Sequence, residues 1–106
     1  MSAPDAAQLL IVATGDVPAD SVADLRGVLA QLQAKACQEA GCQRYEYLLD
    51  GTRLVMVERW SDAAAFDQHT RTPTFIELVP VLKSLLAGGT LNADIVTVQT
   101  RQSIVI

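Results

Sequence analysis

The chain has 106 residues, half of them hydrophobic, with 12 acidic against 8 basic side chains, a formal charge of -4 and a pI near 4.7. That length is read as one domain spanning residues 1–106, and the apolar fraction excludes intrinsic disorder. Phosphate backbones and anionic membranes require clustered Lys and Arg, so the acidic balance argues against nucleic-acid and membrane partners.

The opening segment MSAPDAAQLLIVA lacks the basic start and long apolar stretch of a signal peptide, and a cytoplasmic location is expected. Gln8 to Thr14 is a short apolar run between Pro4-Asp5 and Gly15-Asp16, and its shortness favours a buried strand over a helix. From Pro18 the pattern changes to a helical stripe of Val22, Leu25, Leu29, Leu32 and Ala36, with Asp20 or Ser21 available as a cap and Gly41 as a stop. Cys37 and Cys42 have neither redox-motif nor zinc-site spacing and are expected as reduced, buried thiols.

The stretch from Gly41 to Phe75 holds both tyrosines, both phenylalanines, Met56, and the only Trp and His. Asp50-Gly51 between two alternating runs is a strong hairpin signal. As a two-residue turn it would place Tyr47 opposite Leu54, Tyr45 opposite Met56 and Gln43 opposite Glu58, all on one face with Trp60. Leu48, Glu46, Val55, Arg44, Val57 and Arg59 take the other face. Neither face is purely polar, so both are expected to be covered, one by helices and one by a second sheet.

Ser61 is a good N-cap, with Asp62 placed in the first turn of a short helix that carries Phe66 and His69 on one side. Thr72-Pro73 then starts a longer helix whose apolar side is Phe75, Leu78, Val79, Leu82, Leu85 and Leu86, with a kink expected at Pro80. Gly88-Gly89 ends it, and Ala93 to Thr100 alternates as a last strand. The tail Arg101 to Ile106 ends Ile-Val-Ile, an aggregation hazard unless paired, so a homodimer joined through the sheet face and the C-terminal strand is expected. The resulting order, β-α-β-β-α-β, is the α+β ferredoxin-like pattern with an antiparallel sheet.

No GxGxxG, P-loop, HExxH or nucleophile elbow is present. His69 is the only side chain whose ordinary pKa lies near neutrality, which suits a base, although a lone His on a short helix is more often a structural hydrogen-bonding group. Glu58 on a buried face needs a partner. Trp60 either stacks on a ligand or closes the core where hairpin meets helix. Tyr45 and Tyr47 each need a hydrogen-bond partner if buried, and Met56 suits a pocket lining or a core.

Taken together, Gly41-Cys42, Tyr45, Glu58-Arg59-Trp60, Phe66, His69 and Phe75, within EAGCQRYEYLLDGTRLVMVERWSDAAAFDQHTRTPTF, resemble the signature of the antibiotic biosynthesis monooxygenase family. The resemblance implies a ferredoxin-like dimeric α+β barrel with a pocket between each sheet and its helices. It also implies oxygenation of a small phenolic or quinol-type ring without metal, flavin or other cofactor. On this reading His69 and Trp60 are the catalytic residues, and Tyr45, Tyr47, Met56, Glu58 and Phe66 bind the substrate. Some oxygenases of this type carry Asn and Tyr where this chain has Met56 and Phe66. The related haem-degrading branch has a His on the longer helix, and residues 73–87 contain none. Two other readings of the same fold are a non-catalytic small-molecule-binding module and a cofactor-free isomerase or cyclase.

Overall fold

A computed structural model describes residues 7–106; the Pro4-Asp5 boundary expected for the first strand lies outside them. Strand β1 (Gln8–Asp16) is followed by helix α1 (Val22–Ala36), the hairpin β2 (Cys42–Asp50) and β3 (Arg53–Trp60), helices α2 (Ala63–Thr70) and α3 (Pro73–Ser84), and strand β4 (Asn92–Val98). The four strands form one antiparallel sheet in the order β2-β3-β1-β4. This is the ferredoxin-like α+β arrangement, with the second connection split into two helices.

Period-two alternation puts Leu9, Ile11 and Ala13 of β1 and Leu54, Met56, Glu58 and Trp60 of β3 on the inner face of the sheet, all buried. Against them pack Leu25, Leu29, Leu32 and Ala36 from α1, and Leu82 and Leu86 from α3 and its exit. The helical stripe read from the sequence is thus the helix face of the core. Helix α3 continues through Pro80, which is exposed; the Ile76 carbonyl that loses its amide partner there belongs to a residue on the solvent side.

Several local details depart from the sequence reading. The hairpin turn is Gly51-Thr52 rather than Asp50-Gly51, because Asp50 pairs with Arg53 and Gly51 takes the positive φ, +45°, at the first loop position. Each partner therefore moves by two, giving Tyr47 opposite Met56 and Tyr45 opposite Glu58. A shift of two preserves the face of every side chain. Gln43 does not face Glu58: the register slips between Cys42 and Arg44, and the Gln43 side chain accepts instead from Arg59 Nε at 3.1 Å.

Asp62, not Ser61, caps α2, its carboxylate accepting from the Ala65 amide at 2.8 Å. Thr72 caps α3 with Pro73 in its first turn, as its sequence indicates. Helix α1 stops at Ala36, and Gly41 serves the start of β2 at φ +84°. There a Cβ would lie 2.4 Å from Ala65 Cβ, so the α1–β2 turn rests directly on α2. Cys37 and Cys42 are free thiols, but Cys37, just past the end of α1, is exposed, and Cys42, the first residue of β2, is only half-buried at the edge of the core.

The outer face of the sheet has no cover within the chain. Leu48 is 74% exposed, β4 exposes Val96 on this face and Ile95 on the inner one, and residues 101–106 form no strand and are exposed. The second sheet and the paired C-terminal strand expected from the sequence are therefore not provided by this chain itself.

Urea unfolding checks two of these assignments. Leu29→Ala, in the sealed core, is expected to cost about 2–5 kcal/mol. Asp62→Ala should cost about 0.5–2 kcal/mol through loss of the cap, and Ser61→Ala should stay within about 0.5 kcal/mol. The reverse order for the last two would reassign the cap.

Candidate active site

The inner face of the hairpin and the inward side of α2 meet around His69, which is 3% exposed. Four rings surround its imidazole, with centroids at 4.5 Å (Trp60), 5.1 Å (Phe75), 5.9 Å (Tyr45) and 6.1 Å (Phe66). Each arrives by a local rule. Tyr45 and Trp60 are inward positions of β2 and β3, Phe66 and His69 share a side of α2 at three-residue spacing, and Phe75 lies in the first turn of α3. The Thr72 hydroxyl donates to the His69 carbonyl at 2.8 Å and accepts from the Phe75 amide, fixing α3 against the end of α2.

The polar part of the cluster is a chain of contacts. His69 Nδ1 lies 2.8 Å from Glu39 Oε1, and the Trp60 indole N–H donates to Glu58 Oε1 at 3.0 Å. His69 Nε2 lies 3.9 Å from that same Glu58 oxygen, which is electrostatic proximity beyond hydrogen-bond length. With Glu39 as carboxylate, Nδ1 carries the proton it donates, and Nε2 lies on the Glu58 and Trp60 side.

Burial dominates the titration of the cluster. It pushes the Glu58 carboxyl above its ordinary range, with the Glu39 charge adding to it and the Trp60 hydrogen bond and His69 opposing it. Burial likewise drives the Tyr45 phenol far up, with the charge of Glu58 next in weight, so Tyr45 stays a neutral phenol. The Cys42 thiol is pushed up to about 11, first by burial and then by the charges of Cys37 and Glu39, which leaves it a poor nucleophile at neutral pH.

The structure thus brings Tyr45, Glu58, Trp60, Phe66 and His69 together. Tyr47 and Met56 face each other further along the hairpin toward its turn and make no ring contact with His69. The pocket expected over Trp60, Tyr47, Met56 and Phe66 is not an open hollow. Trp60 is 0% exposed, and these side chains join one continuous cluster with Leu25, Leu29, Leu54 and Leu82. Residues that strand alternation points inward fill that space themselves.

Glu39 escaped the sequence reading. It lies on the α1–β2 turn, where no hydrophobic period marks it, and it meets His69 across 30 positions of sequence. Its one signal is its place as first residue of the EAGC stretch. It also borders a solvent-open groove of about 570 Å³, lined by the turn at Glu39, Ala40 and Gly41 and by Ser61, Asp62, Ala64, Ala65, Gln68 and Thr72. Other grooves among the described residues lie along α1 and α3, and neither they nor this one is lined by Trp60, Tyr47, Met56 or Phe66.

The antibiotic biosynthesis monooxygenase family profile matches residues 9–80, the span that carries the sheet core, the hairpin, the His69 cluster and most of α3. The chain belongs to that family. No curated protein matches it. Among solved structures, this family member is similar to a conserved protein from Methanosarcina mazei Go1, at 25% identity and TM-score 0.81 over 88% of this chain and 94% of that one. A protein from Shewanella oneidensis is 26% identical, with TM-score 0.76 over 86% and 90% of the two chains. SnoaB, a cofactor-independent oxygenase from Streptomyces nogalater solved as its N63A mutant, shares the fold at 21% identity and TM-score 0.77, covering 91% and 97%. Among the described residues, no helix is long and apolar enough to cross a membrane.

The raised Glu58 pKa makes a signed prediction. A carboxyl whose folded pKa exceeds its unfolded value, near 4.5, contributes stability that is fully present below that unfolded value and lost as pH rises through the folded one. Glu58→Gln keeps an oxygen to accept from Trp60 and removes the titration. Melting temperatures of the two proteins should therefore converge at and below about pH 4.5, with the wild type falling behind the variant as pH rises from there. Parallel curves would show that Glu58 titrates normally.

Proposed function

We propose that this protein is a cofactor-independent monooxygenase acting on a small phenolic or quinol-type ring, with Glu39 and His69 as its proton-accepting unit. The observation that carries the proposal is the buried Glu39–His69 hydrogen bond inside an aromatic cage, in a chain of this family. Oxygenation without a cofactor requires the substrate to supply all the electrons. Loss of a phenolic proton makes the ring electron-rich enough to pass one to dioxygen, after which radical recombination forms the carbon–oxygen bond. For a hydroquinone the balance is ring plus O2 giving hydroxyquinone plus water, one oxygen atom in each product and no external reductant.

The protein's part in that chemistry is to take the proton in a place poor in water. The His69 Nδ1–H holds the Glu39 carboxylate in one orientation, and the pair together accepts the substrate's proton. Trp60, Tyr45, Phe66 and Phe75 shield the imidazole from water, which strengthens its electrostatics. Glu58 positions Trp60 through the indole hydrogen bond. Tyr47 and Met56 extend the apolar wall toward the hairpin turn.

A second reading, a binding module without turnover, is favoured by the complete burial of Trp60. An isomerase or cyclase would need only the proton shuttle and would not consume oxygen. In either function the active form is proposed to be a homodimer. The uncovered outer face, with Leu48 opposite Val55 and the exposed Val96, together with the apolar tail at Ile104 to Ile106, supports a second copy as the missing cover.

Oxygen uptake with a panel of hydroquinones tests the activity. His69→Ala is expected to lower turnover about 100-fold or more, in the range of general-base loss, and Trp60→Phe to lower it less. Uptake unchanged in both variants removes their roles, and product formed anaerobically moves the protein to the isomerase class. Static light scattering at micromolar concentration is expected to give twice the chain mass; a monomer overturns the dimer.

A further inference from the structure

The groove beside the α1–β2 turn has a feature that the proton-accepting unit alone leaves unexplained. Glu39 Oε1 is bonded to His69, but Oε2 is the one buried side-chain oxygen or nitrogen among the described residues that receives no hydrogen bond from any protein group. A buried acceptor left without a donor has lost its water without a replacement, so such an atom calls for a partner. The Glu39 side chain remains 11% exposed, and the residue forms part of the groove wall. The terminal torsion of a glutamate is soft, which lets the carboxyl tilt toward the groove while Oε1 keeps its bond to His69.

The other walls define what could supply that donor. Ala40, Gly41, Ala64 and Ala65 are small and apolar, and Gly41 lies close against Ala65. Glu39 and Asp62 are the only ionisable side chains lining the groove, and no Lys or Arg does, so an anion is repelled. Asp62 is already engaged in capping α2 through its bond to the Ala65 amide. Ser61, Gln68 and Thr72 supply neutral polar groups at the margin. A flat neutral ring bearing a hydroxyl satisfies each constraint, whereas an ammonium would have to give up its hydration against an alanine-lined wall.

We infer that this groove, outside the filled interior over Trp60, is where the phenolic substrate binds, with its hydroxyl donating to Glu39 Oε2 and His69 holding the opposite oxygen. Glu39 is then the residue that touches the substrate and takes its proton, and His69 is a positioning residue whose Nδ1–H holds the carboxylate in place. The inference rests on the proposed oxygenase reading for the identity of the ring, but it is tested by binding alone.

The test is an amide NMR titration of the full-length protein with hydroquinone under anaerobic conditions, alongside 1,4-dimethoxybenzene and benzylamine. Hydroquinone should shift the amides of Gly41, Ala64, Ala65 and Gln68 saturably. Dimethoxybenzene, which has the shape but no donor, should bind at least 10-fold more weakly, as should hydroquinone to Glu39→Gln. Ala64→Trp and Gln68→Trp, both at exposed positions, should fill the groove and weaken binding at least 10-fold while the remaining spectrum reports an intact fold. Shifts centred on Tyr47 and Met56, equal binding of dimethoxybenzene, tighter binding of benzylamine, or unchanged affinity in both Trp variants would each overturn the site. Turnover that persists in Ala64→Trp with an unchanged KM sinks the groove and leaves the oxygenase standing; groove binding without oxygen uptake does the opposite.

Discussion

The hydrogen bond between Glu39 and His69 is the contact on which the arrangement around the sheet depends. It spans 2.8 Å between two side chains that are almost wholly buried, and it fastens the α1–β2 turn to α2. A carboxylate left alone at that depth would be strongly penalised, and so would an imidazole without a partner; together they become tolerable. The backbone reinforces the same junction, with the Ser61 amide donating to the Gly41 carbonyl at 2.8 Å and Gly41 pressed against Ala65. Two segments distant in sequence are thereby held in one geometry.

From that junction the aromatic residues follow. Trp60 ends β3 where the chain turns into α2, and its ring fills the angle between sheet and helix while its N–H is satisfied by Glu58 two residues earlier on the same face. A strand places residues i and i+2 side by side, so the Glu-Arg-Trp triplet sends Glu58 and Trp60 inward together and Arg59 outward to Gln43. The same alternation explains why the interior is closed. Every inward position from Tyr45 to Trp60 carries a large side chain, and the helices above bring leucines rather than small residues.

The chain is asymmetric about its sheet. Helices cover the inner face over β1, β2 and β3, while the outer face and β4 carry exposed aliphatic side chains. For a domain of this size, leaving one face of a four-stranded sheet uncovered forfeits a large part of the available burial. That imbalance ties the stability of the monomer to whatever covers the outer face, and it leaves the helix side, where the groove lies, free for a small molecule.

The sequence by itself determined what is periodic or locally punctuated. It defined the strands and helices in order, the two faces of the hairpin and the apolar side of each long helix, the start of α3 at Thr72-Pro73, and the grouping of Phe66 with His69, because these follow from repeats of two and 3.6 residues and from the chemistry of capping. Tertiary structure decided the rest. The hairpin turn moved by one residue because Gly51 had to take the positive φ; the cap moved to Asp62 because its carboxylate reaches the Ala65 amide; and Glu39 joined His69 through a turn that has no period to read. Whether inward-pointing aromatics leave a hollow or fill it depends on the volumes of side chains contributed by elements far apart in the chain, and no local pattern carries that sum.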